Sequence, residues 1–163
     1  MTLVPKTCFF TGHRAIKADD VSTIKSRLNE EILKAINGGF ANFISGGALG
    51  FDTLAAEQVI LMREDYDVIR LIMYLPCSDQ SKNWSEPERI RYDRILSLAD
   101  EIYYISREAY KKGCMKKRNE AMAEASDMCI AFLKKSTSGT AQTVKMALEK
   151  GIDVINIAEN SIF

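Results

Sequence analysis

The sequence predicts an α/β sandwich built on a mainly parallel sheet. Short apolar runs alternate with helix-patterned segments along the chain, and those runs are apolar over most of their length. No linker or composition shift divides the 163 residues. Strands that are apolar on both sides belong to parallel sheets covered by helices on both faces. Hydrophobic residues make up 47% of the chain, enough for a substantial core, and the length fits a single domain spanning 1–163.

The elements follow in order. "TCFFTG" reads as a short buried strand. Val21, Ile24, Leu28, Ile32 and Ile36 then recur at helical spacing, and Gly38 and Gly39 stop that helix. "FANFIS" is a second strand; Leu54, Ala55, Val59 and Met62 mark the second helix. "RLIMYLP" is a third strand, stopped by Pro76. Ser85 and Glu88 form a candidate capping box, and Tyr92, Ile95, Leu96 and Ala99 give the helix behind it a buried stripe. "EIYYIS" is a fourth strand. "REAYKKGCMKKRN" reads as a loop running into a helix through Met122 and Ala125, and the Lys and Gly content of residues 107–115 points to mobility. "MCIAFL" is a fifth strand, "KKSTSGT" a turn, and "DVINIA" a last strand; Val144, Ala147 and Leu148 are expected to face the core from the helix between them. The whole predicts a Rossmann-like, doubly wound three-layer α/β/α sandwich.

Charge and cysteine content bound the function. Lys plus Arg and Asp plus Glu each number 22, so the net charge is zero. Broad nucleic-acid faces rely on a basic excess, because counterion release drives that binding. The balance therefore argues against a nucleic-acid partner while permitting a basic pocket. Cys8, Cys77, Cys114 and Cys129 form no C-x-x-C pair, and His13 is the only histidine, so no metal site is expected. "MTLVPKTCFF" lacks the pattern of a signal peptide, and no apolar run approaches the ~20 residues of a membrane span. A cytoplasmic protein with reduced thiols is the expectation. Cys114, in the loop before the fourth helix, is read either as a reactive thiol or, more simply, as a free surface thiol.

In a doubly wound sheet, ligands bind beyond the carboxyl ends of the strands. Three loops there carry candidate chemistry. In "TGHR", Thr11 and Gly12 end a strand, and Arg14 offers a fork of donors to an anion; a plain turn bearing a surface arginine is the competing account. His13 is expected to be a structural hydrogen-bonder. In "SGGALGFD", Ser45, Gly46, Gly47 and Gly50 lie between a strand and a helix whose first N–H groups have no internal partner and favour negative charge. This is neither a Walker sequence nor a clean G-x-G-x-x-G. Asp52 either caps that helix or holds a ribose hydroxyl. In "STSGT", Ser138, Gly139 and Thr140 place hydroxyls and N–H groups at a helix start, where simple N-capping is the alternative.

Arg118 and Asn119, after the fourth strand, are candidates to reach the same crevice, whereas Lys116 and Lys117 are expected to be solvated. Pro76 and Trp84 follow the third strand. Trp84 is placed either to stack on a base or as a half-buried lid residue. If the protein is an enzyme, the catalytic carboxylates to consider are Asp52 and Glu57. Glu57 falls more than one turn into its helix, a position that can aim it away from the crevice.

Together "TGHR", "SGGALGFDTLAAE", "YLPCSDQSKNW", "KKRNEAMAEASD" and "SGTAQTVKMA" resemble the SLOG superfamily, which groups DprA-like and LOG-like Rossmannoid domains. The YpsA-like family, of unknown function, is the branch they look most like. The matching pieces are spread over nearly the whole chain, in the family's order. The resemblance implies a nucleotide-type ligand at the glycine loops, such as a nucleoside phosphate, an ADP-ribose-like or NAD-derived molecule, or a cyclic nucleotide derivative, and a sensor or regulatory role. It implies no cofactor. Related folds often pair through helices, which makes a homodimer an expectation.

Two departures matter. LOG-type phosphoribohydrolases carry P-G-G-x-G-T and, after two intervening residues, a glutamate that acts on an N-glycosidic bond. Here Lys135, Ser136 and Thr137 stand in place of Pro-Gly-Gly, and Thr143 in place of the glutamate, while Gly139 and Thr140 remain. Hydrolysis of an N-glycosidic or phosphoester bond is thus the alternative function. DprA-type proteins, which bind single-stranded DNA, resemble the chain at "SGGALGFDTLAAE" and at Arg118-Asn119, and a DNA-binding module is the third reading.

Overall fold

The computed structural model of the protein describes residues 4–158. Six strands and five helices alternate: β1 (Lys6–Gly12), α1 (Val21–Asn37), β2 (Phe40–Ser45), α2 (Phe51–Met62), β3 (Arg70–Leu75), α3 (Glu86–Leu98), β4 (Glu101–Tyr104), α4 (Cys114–Glu124), β5 (Met128–Phe132), α5 (Gly139–Glu149) and β6 (Asp153–Asn156). All six strands join one sheet in the order β4-β3-β2-β1-β5-β6, and every neighbouring pair is parallel. The fold is the Rossmann-like α/β/α sandwich that the patterning predicts.

The sheet divides the core in two. Below one face, Ile24, Leu28 and Ile32 of α1 join Ala55 and Val59 of α2, Tyr92 and Ile95 of α3, and Phe10, Phe43 and Met73 from the sheet. On the other, Met122 and Ala123 of α4 and Val144 and Ala147 of α5 cover Phe9, Ile44, Cys129 and Ala131. The central strands are sealed from both sides, so β5 is buried at every position and reads as one apolar run. Edge strand β4 pairs on one side only, with β3, and Ile102 and Tyr103 stay exposed.

Some local expectations are refined. Ser85 caps α3, its hydroxyl accepting from the Glu88 N–H at 3.4 Å. Helix α4 starts at Cys114, four residues before Arg118, because Gly113 adopts φ 89° and turns the chain into it. Cys114 is therefore buried, not a surface thiol, since it lies in the first turn of a helix packed on the sheet. Leu148 is 49% exposed, which corrects its expected place in the core; it lies one residue past Ala147 and so falls off the buried stripe of α5. Among the described residues no helix is long and apolar enough to cross a membrane.

The strand order fixes where a ligand has room. From β1 the chain steps outward through β2 and β3 to β4, then crosses back over the sheet to β5 on the other side of β1. Loops leaving β1 and β5 therefore diverge to opposite faces, and a crevice opens between them at the carboxyl ends.

Candidate functional site

That crevice is a cavity of about 270 Å³. Its walls come from the end of β1 (Thr11, Gly12, His13, Arg14), the loop and first turn leading into α2 (Ala48, Asp52), the inner side of α4 (Met115, Arg118, Asn119, Met122) and the head of α5 (Ser138, Gly139, Thr140). Residues from four separate chain segments thus meet at one place.

Asp52 is buried in the first turn of α2. One carboxylate oxygen accepts from the Ala48 N–H at 3.2 Å. Burial pushes its pKa up to about 6, against the opposing pull of the Arg118 and Arg14 cations and that hydrogen bond. Ser45 holds the corner beneath it. Its hydroxyl accepts from the Gly47 N–H at 3.2 Å and donates to the Asp52 carbonyl at 3.0 Å.

Arg118 is 5% exposed. Its guanidinium donates through Nη1 to the Gly46 carbonyl and through Nε to Asn119 Oδ1 at 2.8 Å. Burial pulls its pKa down, and the nearby Asp52 carboxylate works against that pull. The two groups sustain each other's charge in a place where either alone would be costly.

The glycines take on a structural meaning that the sequence does not disclose. A β-carbon on Gly46 would lie 2.6 Å from Arg118 Nη1, and one on Gly50 would lie 2.2 Å from the Arg14 carbonyl oxygen. The groups that approach this bare backbone are the chain's own: the buried arginine and the β1 loop, whose His13 carbonyl accepts from the Phe51 N–H at 3.1 Å. The glycine corner locks three segments around the cavity.

His13 performs a similar service. Its Nε2 accepts from the Lys134 N–H at 2.8 Å and the Lys135 N–H at 3.3 Å, joining the loops that follow β1 and β5. This assigns the ring proton to Nδ1. Burial, then the Lys135 and Lys134 cations, lowers its pKa, so the neutral acceptor is favoured. At the head of α5, Ser138 accepts from the Ala141 N–H at 3.1 Å. Thr11 and Thr140 are buried against the cavity, and neither hydroxyl has a hydrogen-bond partner among the described residues.

Thr11, Gly12, Arg14, Asp52, Arg118, Asn119, Ser138, Gly139 and Thr140 of the sequence-derived candidates line the cavity. Ser45, Gly46, Gly47 and Gly50 stand behind its wall. Pro76 and Trp84 are not among its lining residues; Trp84 packs edge-on against Tyr92 at 5.0 Å between ring centroids. Glu57 is turned to the protein surface, where it holds Arg91 with two hydrogen bonds. Thr143, at the position of the LOG glutamate, is buried and bonds the Gly139 carbonyl at 3.0 Å. Met115 and Met122 were missed as lining residues: nothing in an apolar helical stripe marks which member faces a cavity. Among the described residues no group of three or more His, Cys, Asp or Glu side chains could hold a metal ion.

Fold and cavity together define a doubly wound α/β protein with a polar crevice at the switch point of its sheet. The sequence relationship agrees. The model of the YspA SLOG family (YpsA) matches residues 8–157, and the chain belongs to that family. It is 32% identical over 133 residues to a UPF0398 protein of Bacillus cereus strain B4264, spanning 80% of this chain and 72% of that one. It is 34% identical over 116 residues to the SPbeta prophage-derived protein YoqJ of Bacillus subtilis strain 168, spanning 64% of this chain and 68% of that one. Among solved structures, DprA of Streptococcus pneumoniae superposes with a TM-score of 0.67 at 21% identity, over 98% of this chain and 52% of that one. DNA processing protein A of Helicobacter pylori, described in a single-stranded DNA binding mode, gives 0.64 at 22% identity, over 92% of this chain and 64% of that one. The chain thus spans about half to two thirds of these solved proteins, and at such identities the likeness shows the fold.

Proposed function

We propose that the protein binds a nucleotide or nucleotide-derived ligand in the crevice between the β1 loop and the head of α5, as a sensor or regulatory protein. The observation that carries this reading is a pair of hydroxyls that open onto the cavity with hydrogen-bonding capacity left over, those of Thr11 and Thr140, on residues otherwise buried. A few polar groups converging on a cavity orient a ligand by hydrogen bonding, and one rich in hydroxyls and phosphoryl oxygens pairs with them. The first N–H groups of α5 and the Arg14 guanidinium suit a phosphoryl group, while Asp52 suits a ribose hydroxyl. The zero net charge does not suit an extended nucleic-acid face.

The test is a thermal-shift screen against nucleoside phosphates, ADP-ribose, NAD and cyclic nucleotides. A ligand that binds only the folded state stabilises it by about 2.7 kcal/mol at 100 times its Kd. Arg14→Glu, at an exposed position, should remove the shift without unfolding the chain. A flat screen on folded protein, or an unchanged shift in that variant, overturns the assignment.

A second reading is favoured by Asp52 alone. A carboxyl with a pKa of about 6 inside a ligand-sized cavity is poised for general acid or base work near neutral pH. On this reading the protein hydrolyses an N-glycosidic or phosphoester bond of its ligand. Product formed from a bound nucleotide, and lost in Asp52→Asn, supports it; turnover that survives the substitution removes Asp52 from the chemistry.

A further inference from the structure

A second cavity, of about 670 Å³, lies on the far side of His13. It shares His13, Arg14 and Ser138 with the crevice and is otherwise lined by Ile16, Lys17, Phe132, Lys134, Lys135 and their neighbours. The two cavities therefore adjoin at His13, Arg14 and Ser138. The hydrogen bonds from the Lys134 and Lys135 backbone to His13 hold both lysines at that boundary.

The charge there is one-sided. Lys134 lies 5.5 Å from the centroid of the Phe132 ring and pairs with Asp20 at 3.5 Å, in a half-exposed contact. Among the described residues Asp20 is the only carboxylate lining this cavity, against Arg14, Lys17, Lys134 and Lys135. Arg14, Lys17 and Lys135 form no salt bridge among the described residues. Like charges gathered around a concave surface raise the local concentration of an anion. The unpartnered Thr140 hydroxyl, the α5 N–H groups and Arg14 suit one phosphoryl group in the crevice. Ser138 and Arg14, beside that place, also line the basic groove, so a phosphoryl group linked to the first enters the groove directly.

We propose that the ligand carries at least two linked phosphoryl groups, as in a nucleoside diphosphate or a pyrophosphate-bridged molecule, with the second group held by Arg14, Lys134 and Lys135 in the groove beyond His13. This assignment rests on the nucleotide reading of the crevice and narrows its ligand class. A nucleoside monophosphate in the crevice leaves Lys17 and Lys135 in the groove without an anionic partner among the described residues.

Calorimetric titration of the full chain with AMP, ADP, GMP and GDP at fixed low salt tests this. For at least one base, the diphosphate should bind ten-fold or more tightly than the monophosphate. The double substitution Lys134→Gln/Lys135→Gln should bring the diphosphate down to the monophosphate's affinity while changing the latter less than three-fold. Lys25→Gln/Lys145→Gln, which removes the same charge from exposed helix positions outside both cavities, should leave the ratio unchanged. Monophosphate binding with no diphosphate advantage, or an advantage that survives Lys134→Gln/Lys135→Gln, overturns the two-phosphoryl assignment and leaves the crevice reading standing. A ratio reduced equally by the control pair assigns the effect to net charge and overturns it as well. No binding of any of the four to folded protein overturns the two-phosphoryl assignment, and a flat thermal-shift screen beside it overturns the crevice reading too.

Discussion

Replacing Asp52 by asparagine should change how stability depends on pH more than it changes stability at any one pH. The Asp52 carboxyl has an ordinary pKa of 3.8 and is raised to about 6 in the fold, chiefly by burial. A folded value above the unfolded one means that the folded state keeps its proton longer. The resulting stabilisation is fully present below pH 3.8 and is lost as pH rises through about 6. At about 1.36 kcal/mol for each tenfold change in proton affinity, that interval corresponds to about 3 kcal/mol. Asparagine has no proton to lose, and its side-chain oxygen still accepts from Ala48. Urea unfolding of both proteins at steps from pH 4 to 7.5 is the assay. The range starts just above pH 3.8, so the difference between their unfolding free energies should move by about 2.4 kcal/mol in favour of Asp52→Asn across it, with other titrating groups cancelling between the two. Parallel stability curves would refute the burial argument, and with it Asp52 as a near-neutral acid or base.

The remaining predictions concern the groups that shape the crevice. Gly46→Ala drives a methyl group into the Arg118 guanidinium and breaks its bond to the Gly46 carbonyl; the expected cost is about 2–4 kcal/mol, seen as a fall in the urea midpoint. Unchanged stability would mean that Arg118 is not anchored there. His13 has a lowered pKa, so its clamp on Lys134 and Lys135 is present above the ordinary value of 6.5 and is lost as pH falls through the folded value. Amide exchange at Lys134 and Lys135, corrected for intrinsic rates, should accelerate as His13 protonates, and His13→Ala should show the fast rate throughout. Ser138→Ala removes the cap of α5 and should cost about 1 kcal/mol by chemical denaturation, whereas Ser138→Thr keeps a capping hydroxyl and should retain most of the stability.

Much of the fold was legible because it is written in local periodicity. The apolar runs became strands, the helical spacing of Ile24, Leu28 and Ile32 became the buried face of α1, and Ser85 and Ser138 became caps. These depend on neighbours a few residues away, which the linear sequence displays. The cavity was legible in part, since ligands of doubly wound sheets gather at loops that can be counted off after each strand. Thr11, Arg14, Asp52, Arg118 and Thr140 were found that way and do meet.

What only the tertiary structure decided is which group those loops turn toward. The Arg118 bond to Gly46 spans 72 residues, and the His13 bond to Lys134 spans 121. No local pattern records such distances. The glycines of "SGGALGFD" announce a close approach without saying what approaches, and in the fold it is Arg118 and the β1 loop. Glu57 and Asp52 share one helix and look alike as carboxylates. Helical rotation sends one to Arg91 at the surface and buries the other in the cavity, where desolvation gives it a different chemistry. Side-chain type and spacing are properties of the sequence; dielectric surroundings and long-range partners exist only once the chain has closed.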